Sequence, residues 1–360
     1  MLSVADQLVT RMIDTMSVGA IAFVVAFGLT PLVSHFLYKW KLAKSIRGGG
    51  KTPVFTRLHK NKAGTPTGGG VLIWGTVLIL ALLFFVLGPV FKIEFFSEHL
   101  SFLTREETWL PLAILIGTAA LGLVDDVMDA KKGGLSGGGL RVRYRLLIFT
   151  VIAAVGAWWF YYKLGFDILH VPGIGDFSIG LWYLPLFIFV VVATAFSVNE
   201  TDGLDGLAGG VLTMAFIAFG IIAFVQGRVE LSMFVSAIVG ALLAFLWFNV
   251  YPARFFMGDT GSMSLGFTLA IVAFLTNSVL VLPFIGFVLV LESGSVLLQV
   301  FSKKVFKRKI FRSTPIHHHF EAAGWPEPKV VMRFWIIAAI TALVGLLIGL
   351  VGRGAAIFVI

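Results

Sequence analysis

Ten stretches of the chain run apolar for about the 20 residues that a helix needs to cross roughly 30 Å of hydrocarbon. They fall at 18–38, 70–90, 109–125, 146–163, 181–198, 207–226, 233–250, 264–280, 282–302 and 332–351. The third is short, and the eighth and ninth nearly fuse at Thr276-Asn277-Ser278. None shows the ten-residue alternation of a membrane barrel strand. Backbone polar groups in lipid must pair within their own segment, so each run is expected to be a helix. The pattern predicts an all-α integral membrane protein of about ten transmembrane helices. It shows no internal repeat and no separable soluble unit, so residues 1–360 read as one polytopic domain.

The polar residues between these runs are not shared evenly. With ten spans both termini lie on one side, and alternate loops fall into two sets. One set holds 21 of the 28 Lys and Arg residues, concentrated in 39–62, 131–145 and 303–329. The positive-inside rule makes that set cytoplasmic and both termini extracytoplasmic. The beginning, MLSVADQLVTRMIDTMS, lacks the basic start and short apolar core of a cleaved signal peptide, so the first span is expected to serve as its own insertion signal.

Composition sharpens this picture. Hydrophobic residues make up 58% and charged residues 13% of the chain, and the mean hydropathy is +0.96. That surface needs the bilayer as solvent. A net charge of +9 would suit a nucleic-acid binder, but the one-sided placement of the charges assigns them to membrane topology instead. There is no cysteine, so disulfides and thiolate metal sites are excluded and a metal would need Asp, Glu, His or Asn.

Every unusual polar motif lies in the basic, cytoplasmic set of loops. Leu121-Gly122-Leu123-Val124-Asp125-Asp126 places two carboxylates at a helix end. Adjacent helical residues point about 100° apart, so Asp125 and Asp126 are expected to differ in role, one binding and the other accepting a proton. In Asn199-Glu200-Thr201-Asp202-Gly203-Leu204-Asp205-Gly206, the residues Asn199, Asp202 and Asp205 would share a face if helical. The spacing does not match an EF-hand. Asp259, between glycines and ahead of a new helix, is well placed for a hard cation or a phosphate. The neighbouring Phe255 or Phe256 could stack on a nucleobase. His317, His318 and His319 cannot all face one ion from a regular helix, and they suit phosphate binding or proton handling. Gly64-Thr65-Pro66-Thr67-Gly68-Gly69-Gly70 lacks the ending of a P-loop but can form a phosphate-facing turn beside Lys60 and Lys62. Glu292 is the one acid deep in a span; it either breaks the ninth helix to face a cavity or is a buried, paired structural acid.

Five of these motifs, GTPTGGG (64–70), LGLVDD (121–126), NETDGLDGLAGG (199–210), FNVYPARFFMGDTGS (248–262) and PIHHHFE (315–321), together resemble the polyprenyl-phosphate N-acetylhexosamine-1-phosphate transferase superfamily. PIHHHFE is similar to its peptidoglycan branch. The resemblance covers nearly the whole chain and implies a bacterial inner-membrane enzyme with its active site on the cytoplasmic face. It implies transfer of phospho-MurNAc-pentapeptide from UDP-MurNAc-pentapeptide to undecaprenyl phosphate, giving lipid I and UMP, with Mg²⁺ as cofactor. A homodimer and no nucleic-acid partner are further expectations. Asp259, with Asp202, is expected to hold the metal. Asp125 or Asp126 would prepare the lipid phosphate, and the three histidines would bind phosphates or move a proton. Lys62, Thr65, Lys132, Asn199, Asp202 and Phe256 are expected to bind substrate.

Three features depart from the family pattern: Gly69 replaces a usual Met, Glu200 an apolar residue, and the segment around 131–143 does not align with the family's lysine-bearing loop. Two rival readings are a sister enzyme using UDP-GlcNAc and a secondary transporter. A transporter expects inverted repeats and charges near mid-membrane; the sequence shows no repeat, and its acids cluster at one face.

Overall fold

The computed structural model describes residues 3–40, 42–43, 62, 64–105, 107–131 and 140–352. Twelve helices are central to the account: α1 Val4–Lys39, α2 Gly70–Phe85, α3 Trp109–Lys131, α4 Val142–Trp158, α5 Tyr183–Thr201, α6 Leu207–Val225, α7 Val229–Asn249, α8 Gly258–Leu275, α9 Leu282–Ile285, α10 Phe287–Val305, α11 Ile316–Ala322 and α12 Glu327–Val351. Among the described residues, nine helices are long and apolar enough to cross a membrane. A bent pair, Val279–Ile285 and Phe287–Val305, makes a tenth. The all-α reading therefore holds. A two-stranded hairpin in the α4–α5 connection, β1 Ile168–Val171 with β2 Gly175–Ser178, is an addition to it.

Two boundaries differ from the sequence expectation. The first helix starts at Val4 rather than 18 and runs for 36 residues. Ser3 and Asp6 form a reciprocal capping box, the Ser3 hydroxyl taking the Asp6 N–H and the Asp6 carboxylate taking the Ser3 N–H. Farther along, Asp14 pairs with His99 at 3.0 Å, which lets the helix carry an acid past its polar first turns. At about 1.5 Å per residue the helix is longer than the hydrocarbon is thick, so a bilayer accommodates it by tilt or by an end that extends past the apolar layer. The ninth span breaks through 82° at Gly286, not at Glu292. Glu292 lies inside α10, fully buried, with its carboxylate 2.9 Å from the ring of His317. It is the paired acid of the two readings, and it does not interrupt the helix.

The core is organised around α8. Every residue from Thr260 to Leu275 is buried, and α3, α5 and α2 pack around it. This is the least apolar of the nine spans, because it faces protein rather than lipid. Its hydroxyls are satisfied along its own length: Ser262, Ser264 and Thr268 donate to the carbonyls of Gly258, Thr260 and Ser264. The α3–α8 crossing is close enough that a methyl group on Gly122 would collide with the backbone carbonyl of Asp259. Gly122→Ala is therefore expected to cost about 1–3 kcal/mol by overpacking. Gly117, one turn away on the same helix, faces open space. Thermal unfolding in detergent checks this: a clear loss for Gly122→Ala beside an unchanged Gly117→Ala is expected, and equal midpoints would remove the tight crossing.

Candidate active site

Three helix ends meet at the start of α8. The C-terminal part of α3 brings Asp125 and Asp126, the C-terminal turn of α5 brings Asn199, and α8 begins with Gly258 and Asp259. Gly258 adopts φ +74°, and a side chain there would press on the Asp126 carboxylate and the Thr67 hydroxyl. Glycine thus lets the chain turn sharply into the helix.

The two adjacent aspartates do different work. Asp126 accepts the backbone N–H groups of Asp259 and Thr260, each at 3.0 Å. A carboxylate there satisfies two of the amides that a helix start leaves without intrahelical partners, and it faces the positive end of the helix dipole. Asp125, 1% exposed, points elsewhere: it takes the Leu140 N–H at 2.7 Å and the Arg145 guanidinium at 2.6 Å. The same guanidinium nitrogen donates to Asp259 at 2.7 Å, and the other terminal nitrogen reaches the Asn199 carbonyl oxygen at 2.6 Å. The Asn199 amide nitrogen in turn donates to Asp259 at 2.6 Å and to Ser262 at 2.9 Å. Asp125, Arg145, Asp259 and Asn199 form one closed network from four helices.

Arg145 is the residue that sequence reasoning overlooked. It stood among the basic residues of a loop expected to be cytoplasmic, where topology alone accounts for a charge. The structure places it at the start of α4 between two carboxylates. The one available signal was the misaligned lysine-bearing segment just before it. Lys132, the residue favoured there, lies outside the described residues.

Asn199, Asp202 and Asp205 do not share a helical face. Helix α5 ends at Thr201 and Gly206 turns left-handed at φ +82°, so the three diverge. Asp202 accepts the Gly258 N–H at 3.2 Å and stays beside the α8 start. Asp205 instead joins Glu327 around the Lys62 ammonium, at 2.6 and 2.5 Å. Lys62 also lies 5.9 Å from the centre of the Phe256 ring. The Thr65 N–H donates to the Lys62 carbonyl, and Phe256 hydrogen-bonds Pro66 and Gly69 through its backbone. This pairing holds the 64–70 turn against the approach to α8. Phe255 is fully buried against Phe245 and Phe248 and has no face to offer a base. Phe256 is half-buried and keeps one.

The three histidines sit on α11 and take separate partners. His317 pairs with Glu292, and a methyl group on Gly203, next to Asp202, would strike its ring. His318 pairs with Glu321 at 2.7 Å. His319 accepts the Arg312 N–H at 3.1 Å and packs its ring on Phe311. His317 is thus placed against the Asp202 turn, whereas His319 is held on the other side of the short helix. Glu200 bonds Ser293 at 2.6 Å, so the departure from an apolar residue is accommodated by a hydroxyl from α10.

No three acids or histidines among the described residues are arranged as a ready metal cage. Asp259 at the start of α8 and Asp202 beside it nevertheless offer carboxylate oxygens, the ligand type of a hard cation such as Mg²⁺ that takes one or two carboxylates plus substrate oxygens. Arg145 already places a positive charge between Asp125 and Asp259, where two carboxylates would otherwise repel.

The fold defines a multi-span membrane protein with a polar centre at its helix ends, and the relatives it matches are transferases. Residues 108–277 match the family described as glycosyl transferase family 4. A phospho-N-acetylmuramoyl-pentapeptide-transferase of Chloroflexus aggregans is 37% identical over 357 residues, covering 96% of this chain and 92% of that protein. Relatives with the same name from Geobacillus kaustophilus and Desulfosudis oleivorans are 40% and 38% identical, covering 91% and 90% of this chain and 96% and 89% of theirs. The chain belongs to the phospho-N-acetylmuramoyl-pentapeptide-transferase family.

The split between Asp125 and Asp126 has a stability consequence. Asp126→Ala removes the α8 cap and is expected to cost about 1–2 kcal/mol, whereas Asp126→Asn keeps an acceptor and recovers most of it. Unfolding midpoints of the two variants decide this, and an Asp126→Ala protein as stable as the wild type would contradict the cap.

Proposed function

We propose that this chain transfers phospho-MurNAc-pentapeptide from UDP-MurNAc-pentapeptide to undecaprenyl phosphate, forming lipid I and UMP at the cytoplasmic face of the bacterial inner membrane, as one transferase unit. The observation that carries the proposal is the Asp125–Arg145–Asp259–Asn199 network at the mouth of α8, in a chain of this family.

The reaction brings two anionic phosphates together, so catalysis is mostly positioning and charge stabilisation. Asp259 is the main residue to hold Mg²⁺, with Asp202 close by; when bound, the ion offsets the charge of the reacting phosphates. Asp125 is better placed than Asp126 to take the proton of the lipid phosphate, because Asp126 already accepts two backbone amides. Arg145 can follow the charge as it develops on the phosphates, since its guanidinium already spans both sides of the site. Phe256 stacks on the uracil and Asn199 and Asp202 orient the nucleotide. Lys62 and Thr65 line the same approach. His317, held by Glu292, faces the phosphate side, with His318 next to it.

Asp259→Asn is expected to lower UMP release at least about a hundredfold while leaving the unfolding midpoint near that of the wild type. Near-normal turnover would remove Asp259 from the reaction. The assay is run with UDP-MurNAc-pentapeptide and UDP-GlcNAc side by side; preference for UDP-GlcNAc would point to the sister transferase. Chelation of divalent cations should stop release and added Mg²⁺ restore it.

A further inference from the structure

A concavity of about 550 Å³ lies at the end of α1, lined by Pro31, Ser34, His35, Tyr38, Lys39 and Arg254. Its walls come from two elements. Pro31, Ser34 or His35, and Tyr38 recur at the spacing of one helical face, and Arg254 arrives from the α7–α8 connection. The Tyr38 hydroxyl donates to the Arg254 carbonyl at 3.0 Å and ties the walls together. Among the described residues, no Asp or Glu lines the space. Lys39 and Arg254 form no ion pair among the described residues; Arg254 only leans over the Phe248 ring at 5.9 Å. Two cations and an imidazole around an acid-free hollow make a receptor for an anion.

The surroundings say which anion. Phe36, Tyr38 and Trp40 are exposed where α1 ends, the placement of an aromatic membrane-interface belt. Below them, Leu32 and Trp247 are exposed, 54% and 71%, giving apolar wall along which acyl chains can lie. Arg254 shares the α7–α8 connection with the approach to Asp259, and Lys39 ends α1 beside it, so both lie at the same end of the bundle as Asp259. The geometry points to a binding site for the phosphodiester headgroup of an anionic glycerophospholipid of the inner leaflet, held between Lys39 and Arg254 with His35 beside them. This rests on the cytoplasmic orientation proposed above but not on the reaction. Because Arg254 lies five residues ahead of Asp259, the bound lipid braces the segment that leads into α8.

The test uses the full chain in phosphatidylcholine nanodiscs doped with phosphatidylglycerol carrying a photoactivatable headgroup. Crosslinks are expected to map to residues 31–39 and 254. The Lys39→Gln/Arg254→Gln double variant should lose labelling about tenfold or more, since each basic residue near an anionic surface contributes appreciably to binding. Lys303→Gln/Lys304→Gln, which removes the same charge from the end of α10, should keep it. Equal losses in both doubles would mean a diffuse field and overturn the site. Displacement by inorganic phosphate as readily as by unlabelled phosphatidylglycerol would reduce it to a soluble-anion site and overturn it, as would far stronger displacement by undecaprenyl phosphate. If the double variant fails to fold, the wild-type crosslink map and the lipid competition still decide. UMP release by the wild type in pure phosphatidylcholine separates the two readings: activity there leaves the proposed reaction standing whatever the lipid result.

Discussion

The carboxylate of Asp126 at the start of α8 is the interaction on which the polar centre depends. Two backbone amides that a helix start would leave unsatisfied are tied to a residue of another helix. One of them belongs to Asp259 itself, so the cap fixes the backbone of the residue that faces Arg145 and Asn199. Because Gly258 is left-handed and Gly122 lets α3 come into contact with the Asp259 carbonyl, no side chain separates the two helices at this point. Asp125 and Asp126 then point to opposite tasks through the ordinary rotation between neighbouring helical residues. Asp126 holds the frame, and Asp125 reaches Arg145 and through it Asp259.

Burial explains why the frame must be so specific. Charged groups near the hydrocarbon are costly unless paired. Arg145 meets that demand by reaching two carboxylates and one amide at once. Lys62 does the same for Asp205 and Glu327, joining the segment ahead of α2 to the first turn of α12. These contacts draw sequence-distant loops into one surface without a soluble domain to carry them.

Most of the fold was legible because lipid-facing helices must be apolar over a length set by the bilayer. The parts that were not follow from local polar satisfaction, which hydropathy does not register. The early start of α1 depends on a capping box and on His99 reaching Asp14. The bend at Gly286 was hidden because Glu292, the more conspicuous residue, is paired in place with His317 and leaves its helix unbroken. At the site, the motifs identified Asp125, Asp126, Asp202 and Asp259 as residues of interest, but the direction each carboxylate faces depends on where α5 stops. Arg145 was invisible for another reason: in a positive-inside loop, a charge that binds a carboxylate and a charge that only sets topology look the same.

The location of the polar centre follows from the same constraint. A helix that spans lipid cannot display polar groups along its length, but its ends carry unsatisfied amides and carbonyls whatever its sequence. Gathering the ends of α3 and α5 and the start of α8 therefore concentrates donors and acceptors at one edge of an otherwise apolar bundle. Helix α8 can stand at the centre of that arrangement only because its own hydroxyls are returned to its backbone, leaving its first turn as the one place where it meets charged partners. An acceptor that is itself a membrane lipid has its phosphate at this depth. In the proposed reaction, a polar centre at the helix ends meets a soluble nucleotide sugar from one side and a lipid phosphate from the other, with no need to draw either across the hydrocarbon.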